Sequence, residues 1–233
     1  MRIKKYIGLL TFFLCLVLPQ LIHAQDLAAF EKTVTEFTLE NGLTFLVVER
    51  HEAPVVSLMT YADVGSVDEV KGITGLAHIF EHMAYKGTGT IGSKGLEEEL
   101  KAMAQVDRAF KELQAERNKG SLADGDRIAF LEEAFDMATK SAKEWAVSSE
   151  MDEVLARAGA VGLNAATGAD ATRYFYSLPS NKIELFFSLE SDRFFNPVLR
   201  EFYIEKEVVM EERRMRTESS PVGRLVEEMI AAS

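Results

Sequence analysis

The chain has 233 residues, a formal net charge of −11 and 47% hydrophobic residues, with a mean hydropathy of −0.02. This composition is typical of an ordinary globular protein, and it excludes a disordered tail, a multi-span membrane protein and a disulfide-stapled miniprotein. The acidic balance argues against a general nucleic-acid binder, because contacts with phosphates need a basic surface. The single cysteine excludes an intramolecular disulfide and a cysteine-based zinc site.

Residues 1–24 have the three parts of a secretory signal peptide. Three basic residues lie within the first five, an apolar run follows over 7–18, and Ala24 supplies a small residue at the cleavage site. An N-terminal membrane anchor is the alternative, but the apolar run is shorter than the ~20 residues that a spanning helix needs. We therefore predict an exported protein, periplasmic or secreted, with no stable membrane association once this peptide is removed.

A β-hairpin is the first element predicted after the signal peptide. Two β-rich runs, 34–39 and 43–49, flank Asn41-Gly42, a dipeptide that is typical of tight hairpin turns. Residues 55–64 are a further apolar, β-rich run and predict a third strand.

Residues 73–86 have helical spacing and contain the sequence His78-Ile79-Phe80-Glu81-His82. The two histidines are four residues apart and Glu81 lies three after the first, so all three side chains share one stripe. Apolar residues occupy most of the remaining circumference, which is typical of a buried helix. Buried titratable groups need hydrogen-bond partners or a metal ion.

Two histidines one turn apart suit a catalytic zinc site, which takes three protein ligands and leaves a fourth position to water. The neighbouring carboxylate can then accept a proton from water that zinc has made more acidic. The order His-x-x-Glu-His reverses the commoner His-Glu-x-x-His and is the inverzincin motif. Two core histidines with ordinary hydrogen bonds are the alternative interpretation, and manganese or cobalt are alternatives to zinc.

Residues 93–150 differ in composition from the rest of the chain, being rich in Lys, Glu and Ala and free of proline. Apolar residues recur at steps of three and four on both sides of Asp124-Gly125, which predicts two amphipathic helices in an antiparallel hairpin. We interpret this segment as a helical insertion into the domain. A solvated charged face is its simplest interpretation, and a partner-docking arm is the alternative.

Strands are predicted again over 162–167 and 171–178, and helices follow over 181–195 and 201–218. Strand runs followed by helix runs indicate an α+β fold.

The last of these helices offers two candidates for a third metal ligand. Val208 and Val209 mark its apolar stripe, and residues 205 and 212 complete the i, i+3, i+4, i+7 pattern. Both are glutamate, and an inward carboxylate is costly unless it is paired or coordinated. Either Glu205 or Glu212 is therefore the third ligand, with the other orienting an imidazole. A charge-rich surface helix with ion pairs is the alternative.

Three motifs occur in a specific order: 75–88 around the two histidines, the run Gly162-Leu163-Asn164-Ala165, and 205–212 on the last helix. Together they resemble the insulinase/pitrilysin family of zinc peptidases, which includes the mitochondrial processing peptidases. The resemblance runs from about Glu36 to the C-terminus, outside 93–150. It implies an α+β fold with a mainly antiparallel sheet and helices packed on one face.

The resemblance also implies a role for individual residues. His78, His82 and Glu212 would bind zinc, and Glu205 would lie behind these ligands and orient one imidazole. Glu81 would be the general base, which takes the proton of a zinc-activated water and later returns it to the departing amine. Zn²⁺ is the cofactor that this arrangement implies.

Asn164 and Ala165 would lie where an extended peptide substrate adds to a sheet edge. Members of this family carry a second domain of similar fold that closes over the substrate. We therefore expect residues 25–233 to be an N-terminal catalytic domain, incomplete at its C-terminus, whose partner is a second domain or subunit of similar fold.

The predicted function is a zinc-dependent endopeptidase that hydrolyses peptides or small unfolded proteins in an exported compartment. The alternative is a non-catalytic or truncated metal-binding subunit. The intact Glu81 favours the enzyme, whereas the expectation of a missing second half favours the alternative.

Overall fold

The computed structural model describes residues 27–70 and 72–231, so the predicted signal peptide lies outside the described residues. The helices are α1 (Leu27–Glu31), α2 (Leu76–Met83), α3 (Leu96–Arg117), α4 (Gly125–Trp145), α5 (Glu150–Arg157), α6 (Ile183–Phe195), α7 (Phe202–Arg213) and α8 (Pro221–Ala231). The strands are β1 (Val34–Thr38), β2 (Thr44–Val48), β3 (Val55–Ala62), β4 (Val161–Thr167) and β5 (Thr172–Pro179). The chain divides into two compact units between Ala53 and Pro54.

The first unit contains the predicted β-hairpin, which is confirmed. Strands β1 and β2 pair antiparallel, with Thr38 opposite Thr44 at the closed end. Gly42 has a φ of 88°, a left-handed conformation that glycine adopts without strain, and its N–H donates to the carbonyl of Leu39 at 2.9 Å. The Asn41 side chain accepts a hydrogen bond from the N–H of Leu43, so the Asn-Gly pair forms the turn.

A three-stranded antiparallel sheet lies in the second unit, in the order β3-β5-β4. Side chains along the central strand β5 alternate in burial, and Tyr174, Tyr176 and Leu178 face the interior. This alternation is the pattern of a sheet that is covered on one face. β4 is an outer strand of this sheet, with an irregularity in its pairing between Val161 and Asn164.

The core of the second unit lies between this sheet and two helices. Met151 and Leu155 of α5 and Phe186 and Leu189 of α6 pack with Tyr176 and Leu178 of β5. Small antiparallel sheets with helices on one face are the α+β fold that the sequence predicted, and that prediction is confirmed.

The helices α3 and α4 occupy most of the segment predicted to be helical, 93–150. Two contacts show that they run antiparallel: the rings of Phe110 and Phe135 lie with their centroids 5.7 Å apart, and Arg117 pairs with Glu132 at 2.6 Å. The Asp124 carboxylate begins α4 by accepting hydrogen bonds from the first turn. Across residues 27–70 and 72–231, no helix combines the length and apolarity that crossing a bilayer requires.

Candidate metal centre

Helix α2 carries the two histidines, and its start is fixed by an acidic side chain. Gly75, with a φ of 92°, turns the chain into the helix. The Glu69 carboxylate accepts hydrogen bonds from the N–H groups of Gly75 at 2.6 Å and Ala77 at 2.8 Å. These N–H groups have no partner within the helix, and a negative charge is favourable at this end. Sequence reasoning missed Glu69, whose only signal was an acidic residue seven positions before the first residue of the helix.

The prediction that α2 is a buried helix holds for only one side of it. Ala77, Ile79 and Met83 are buried, whereas Leu76 is 42% exposed and Phe80 is 49% exposed. The helix contacts α7, β4 and β5, whereas Leu76 and Phe80, one turn apart, lie on its exposed side. The stripe of His78, Glu81 and His82 therefore lies in a half-buried environment.

Helix α7 brings one carboxylate to both histidines of α2. Glu212 Oε2 lies 3.7 Å from His78 Nε2, and Glu212 Oε1 lies 3.7 Å from His82 Nε2. The two imidazole rings are close, with centroids 4.9 Å apart. Residues separated by more than 120 positions in the sequence thus converge on one point.

The second glutamate of α7 contacts the opposite side of one imidazole. Glu205 Oε2 lies 3.0 Å from His82 Nδ1, within hydrogen-bonding distance. The Glu205 carboxylate can accept a hydrogen bond from a protonated Nδ1, and in that tautomer the lone pair is on Nε2, on the side of Glu212. Helical periodicity did not distinguish the two glutamates. In the structure Glu212 lies near the Nε2 atoms of both histidines, whereas Glu205 contacts only Nδ1 of His82.

Three side chains meet the requirements of a zinc site. His78, His82 and Glu212 are the group among the described residues whose ligand atoms all lie within 4.8 Å of one another. Ligands about 2.0–2.2 Å from a tetrahedral zinc lie roughly 3.4 Å apart, close to the observed 3.7 Å.

One oxygen of the Glu212 carboxylate is buried without a hydrogen bond to the described residues. This atom, Oε2, lies 3.0 Å from Arg216 Nη2 in a poorly aligned ion pair. A buried carboxylate oxygen without a hydrogen bond is costly, and a divalent cation between it and the imidazoles would coordinate it. The residues present therefore fit the metal.

Lys86 forms ion pairs with two glutamates on the Nδ1 side of His82. Its Nζ atom lies 2.5 Å from Glu205 Oε1 and 3.2 Å from Glu201 Oε2. Burial alone lowers the pKa of Lys86, but the two carboxylates outweigh burial and raise it above its usual value. Burial likewise raises the pKa of Glu205, but hydrogen bonds from Lys86 and His82 outweigh burial and lower it. Both groups are therefore charged at neutral pH.

The carboxylate of Glu81 is held by a threonine of β4. Thr167 Oγ1 donates a hydrogen bond to Glu81 Oε2. Thr172 Oγ1 lies 3.5 Å from the same threonine oxygen. Sequence reasoning missed Thr167, although it lies two residues after Ala165 and hence on the same face of the predicted strand.

Asn164 and Ala165 lie on the outer strand β4, opposite Phe175 and Tyr174 of β5. The Asn164 side chain accepts a hydrogen bond from the N–H of Ala165 at 2.9 Å. The backbone carbonyl of Asn164 accepts a hydrogen bond from the hydroxyl of Tyr85 at 3.4 Å. Within the sheet that the structure describes, the other side of β4 has no strand. The structure thus places these residues at a sheet edge, beside the strand position of Thr167.

Known proteins resemble the chain in sequence and in fold. The family model described as Insulinase (Peptidase family M16) matches residues 44–115 and 118–233. The zinc protease PqqE of Helicobacter pylori is 27% identical over 226 residues, which are 96% of this chain and 37% of that protein. The probable mitochondrial-processing peptidase subunit beta of Schizosaccharomyces pombe is 37% identical over 83 residues, covering 36% of this chain and 18% of that subunit.

A solved structure gives the same result. The crystal structure of a protease from Helicobacter pylori matches with a TM-score of 0.54 and 26% identity, over 82% of this chain and 33% of that one. The chain spans about a third of the length of the Helicobacter pylori relatives. The family model covers most of the chain, including both histidines and Glu212. This chain belongs to the insulinase family, peptidase family M16.

Proposed function

We propose that this chain is the metal-binding part of a zinc-dependent endopeptidase that acts on peptides or small unfolded proteins. One observation carries the proposal, namely the Glu212 carboxylate 3.7 Å from the Nε2 atoms of both His78 and His82. Glu81 lies on the same helix as these histidines, which provides a base next to the metal ligands. Similarity to zinc proteases supports the choice of metal.

His78, His82 and Glu212 would hold the zinc ion, with Glu205 fixing the orientation of His82. Zinc, when bound, supplies a Lewis acid that polarises the scissile carbonyl and makes a water more acidic. Glu81 accepts the proton that this water loses and returns it to the departing amine. The hydrogen bond from Thr167 fixes one oxygen of Glu81 and leaves the other for the proton.

The substrate we propose is a peptide in extended conformation. β4 is an outer strand, and an extended peptide could add to it as a further strand. The hydrogen bonds would join main-chain groups, so a peptide of any sequence could form them. Asn164 and Ala165 would contact this added strand. Thr167 lies two residues after Ala165 on β4, and its hydroxyl donates a hydrogen bond to Glu81. A peptide added to β4 would therefore pass near Glu81, which supports a scissile bond close to the metal.

Several features of the whole protein belong to the same proposal. Residues 1–24 would be a signal peptide, and the protein would act in the periplasm or outside the cell. Residues 25–233 would be the N-terminal catalytic domain, with 93–150 as a helical insertion. A second domain or subunit of similar fold would complete the substrate chamber, since this chain spans about a third of its relatives.

A non-catalytic metal-binding subunit is the second candidate, and the partial coverage of the relatives favours it. The two candidates differ in whether Glu81 does chemistry. A degenerate subunit has no need of a base, whereas this chain retains a glutamate held in place by Thr167.

The test is a peptide-cleavage assay on the full chain, alone and together with a second domain of similar fold, with and without a chelator. Replacing Glu81 by Gln removes the base and keeps the metal ligands, so we expect cleavage to fall by about 10²–10⁴-fold with zinc content unchanged. Glu97→Gln, a change on the exposed face of α3, is the matched control and should leave cleavage unaltered. If one equivalent of zinc binds and no peptide is cut, the enzyme proposal fails and the non-catalytic candidate stands.

A further inference from the structure

Lys86 lies at the centre of a row of polar contacts that ends on a metal-binding histidine. From Lys86 Nζ, one contact of 2.5 Å leads to Glu205 Oε1, and Glu205 Oε2 lies 3.0 Å from His82 Nδ1. Another contact of 3.2 Å leads from Lys86 Nζ to Glu201 Oε2. All three side chains behind the histidine are largely buried, with exposures of 20% for Lys86, 13% for Glu205 and 9% for Glu201.

Glu201 anchors the far end of this row. It is the one non-glycine residue with a positive φ, 58°, in the described part of the chain. Strained backbone of this kind persists where the surroundings hold it in place. Its Oε2 atom also accepts a hydrogen bond from Ser148 Oγ at 2.8 Å, and Lys143 Nζ lies 3.8 Å from its Oε1. The row therefore extends from the end of α4 to the metal centre.

The contacts of Lys86 decide how Glu205 is oriented. A carboxylate on a flexible side chain can rotate, and near a divalent cation it can also turn to bind the metal itself. Lys86 occupies one oxygen of Glu205, so the other is left to accept from His82 Nδ1. A fixed acceptor at Nδ1 keeps the Nε2 lone pair available on the side of Glu212.

We propose that Lys86 is a positioning residue for the zinc site: anchored by Glu201, it holds the Glu205 carboxylate against His82 and thereby strengthens metal binding. This inference rests on the metal site of the proposed function. It assigns to Lys86 and Glu201 a role that the histidine and glutamate motif alone does not contain.

Electrostatic repulsion alone predicts the opposite change in zinc affinity when Lys86 is removed, so the measurement distinguishes the two explanations. A positive charge close to the site repels Zn²⁺, so removing Lys86 would tighten zinc binding if its charge acted only through space. If Lys86 acts by holding Glu205, its removal weakens zinc binding. Loss of an orienting contact behind a metal ligand weakens affinity by about 10–100-fold.

The experiment measures zinc affinity by competition with a chromophoric chelator, using the full 233-residue chain. Lys86→Met should bind zinc about tenfold more weakly, and Lys86→Arg, which keeps the charge and the donors, should recover most of the loss. Glu201→Gln should weaken binding in the same direction. Lys101→Met, which removes a lysine from an exposed pair on α3, is the control and should bind zinc as the unsubstituted chain does.

A double-mutant cycle shows whether Lys86 acts through Glu205. In a Glu205→Gln background, Lys86→Met should cause little further loss, because the contact it serves is already gone. Unchanged or tighter zinc binding by Lys86→Met, or losses that simply add in the double variant, would overturn the inference. Peptide cleavage plays no part in this measurement, so a chain that binds zinc but cuts no peptide would end the proposed function and leave the Lys86 test valid.

Discussion

The Asp192 carboxylate binds two threonines of the loop that follows α2. Its Oδ2 atom accepts hydrogen bonds from the hydroxyls of Thr88 and Thr90, and Oδ1 accepts one from Asn196 at 2.9 Å. Thr88 is completely buried. Burial alone raises the pKa of Asp192, but these three hydrogen bonds outweigh burial and lower it below its usual value.

The lowered pKa of Asp192 predicts a stability that depends on pH. Because the folded state holds this carboxyl ionised, its contribution is complete above the unfolded pKa, about 3.9, and is lost as the pH falls through the folded pKa. Asp192→Asn should therefore lower the free energy of unfolding at pH 7 by about 1–2 kcal/mol, and by less as the pH falls below about 4. Urea unfolding at a series of pH values measures this.

Asp136→Asn, on the exposed side of α4, is the control for this change and should alter stability by less than about 0.5 kcal/mol at every pH. A difference between the Asp192 variant and the unsubstituted chain that stays constant from pH 7 to pH 3 would show that the ionised carboxylate is not what holds the loop.

At the scale of elements, a buried ion pair fastens the helical segment to the loop that follows α2. Arg200 and Glu99 are each 1% exposed, and Arg200 Nε lies 2.7 Å from Glu99 Oε1. The same guanidinium donates hydrogen bonds to the carbonyls of Thr88 at 2.7 Å and Ile91 at 3.1 Å. Helix α3 is thus connected to the backbone directly after the metal-binding helix.

Breaking this pair should be far more damaging than breaking a surface pair on the same helix. Glu99→Gln leaves the Arg200 charge buried without its partner and should lower the free energy of unfolding by about 3–5 kcal/mol. Glu97→Gln makes the same change two residues earlier, in an exposed pair with Lys101, and should cost less than about 1 kcal/mol. Equal losses in the two variants, measured by urea unfolding, would contradict this assignment.

Across the whole molecule, features with a local pattern were predictable from the sequence. The Asn41-Gly42 hairpin, the strands and the helices of 93–150 follow from turn residues and periodicity, and the structure contains them. His78, Glu81 and His82 share one face because helical spacing alone puts them there. The resemblance to a peptidase family, which the family match confirms, then implied a role for each site residue.

Features that depend on how elements cross were not predictable from local patterns, although the family resemblance did imply Glu212 as the ligand. Periodicity placed Glu205 and Glu212 on one stripe, but only the crossing of α7 over α2 decides which one lies between the two Nε2 atoms. Thr167 meets Glu81 across 86 positions of sequence, and Lys86 meets Glu201 across 115. No local pattern encodes such contacts. The exposure of Phe80 is of the same kind, since it depends on which elements cover α2.

The central claim is that one zinc ion binds where α2 and α7 meet. Crystals of the zinc-loaded full chain, measured at the zinc absorption edge, should show one anomalous peak within bonding distance of His78 Nε2, His82 Nε2 and a Glu212 oxygen. The peak should be lost or much weakened in Glu212→Gln and retained in Glu211→Gln, whose side chain is exposed and pairs with Arg214. A peak bonded to Glu205 in place of Glu212, or one away from α2, would contradict the claim.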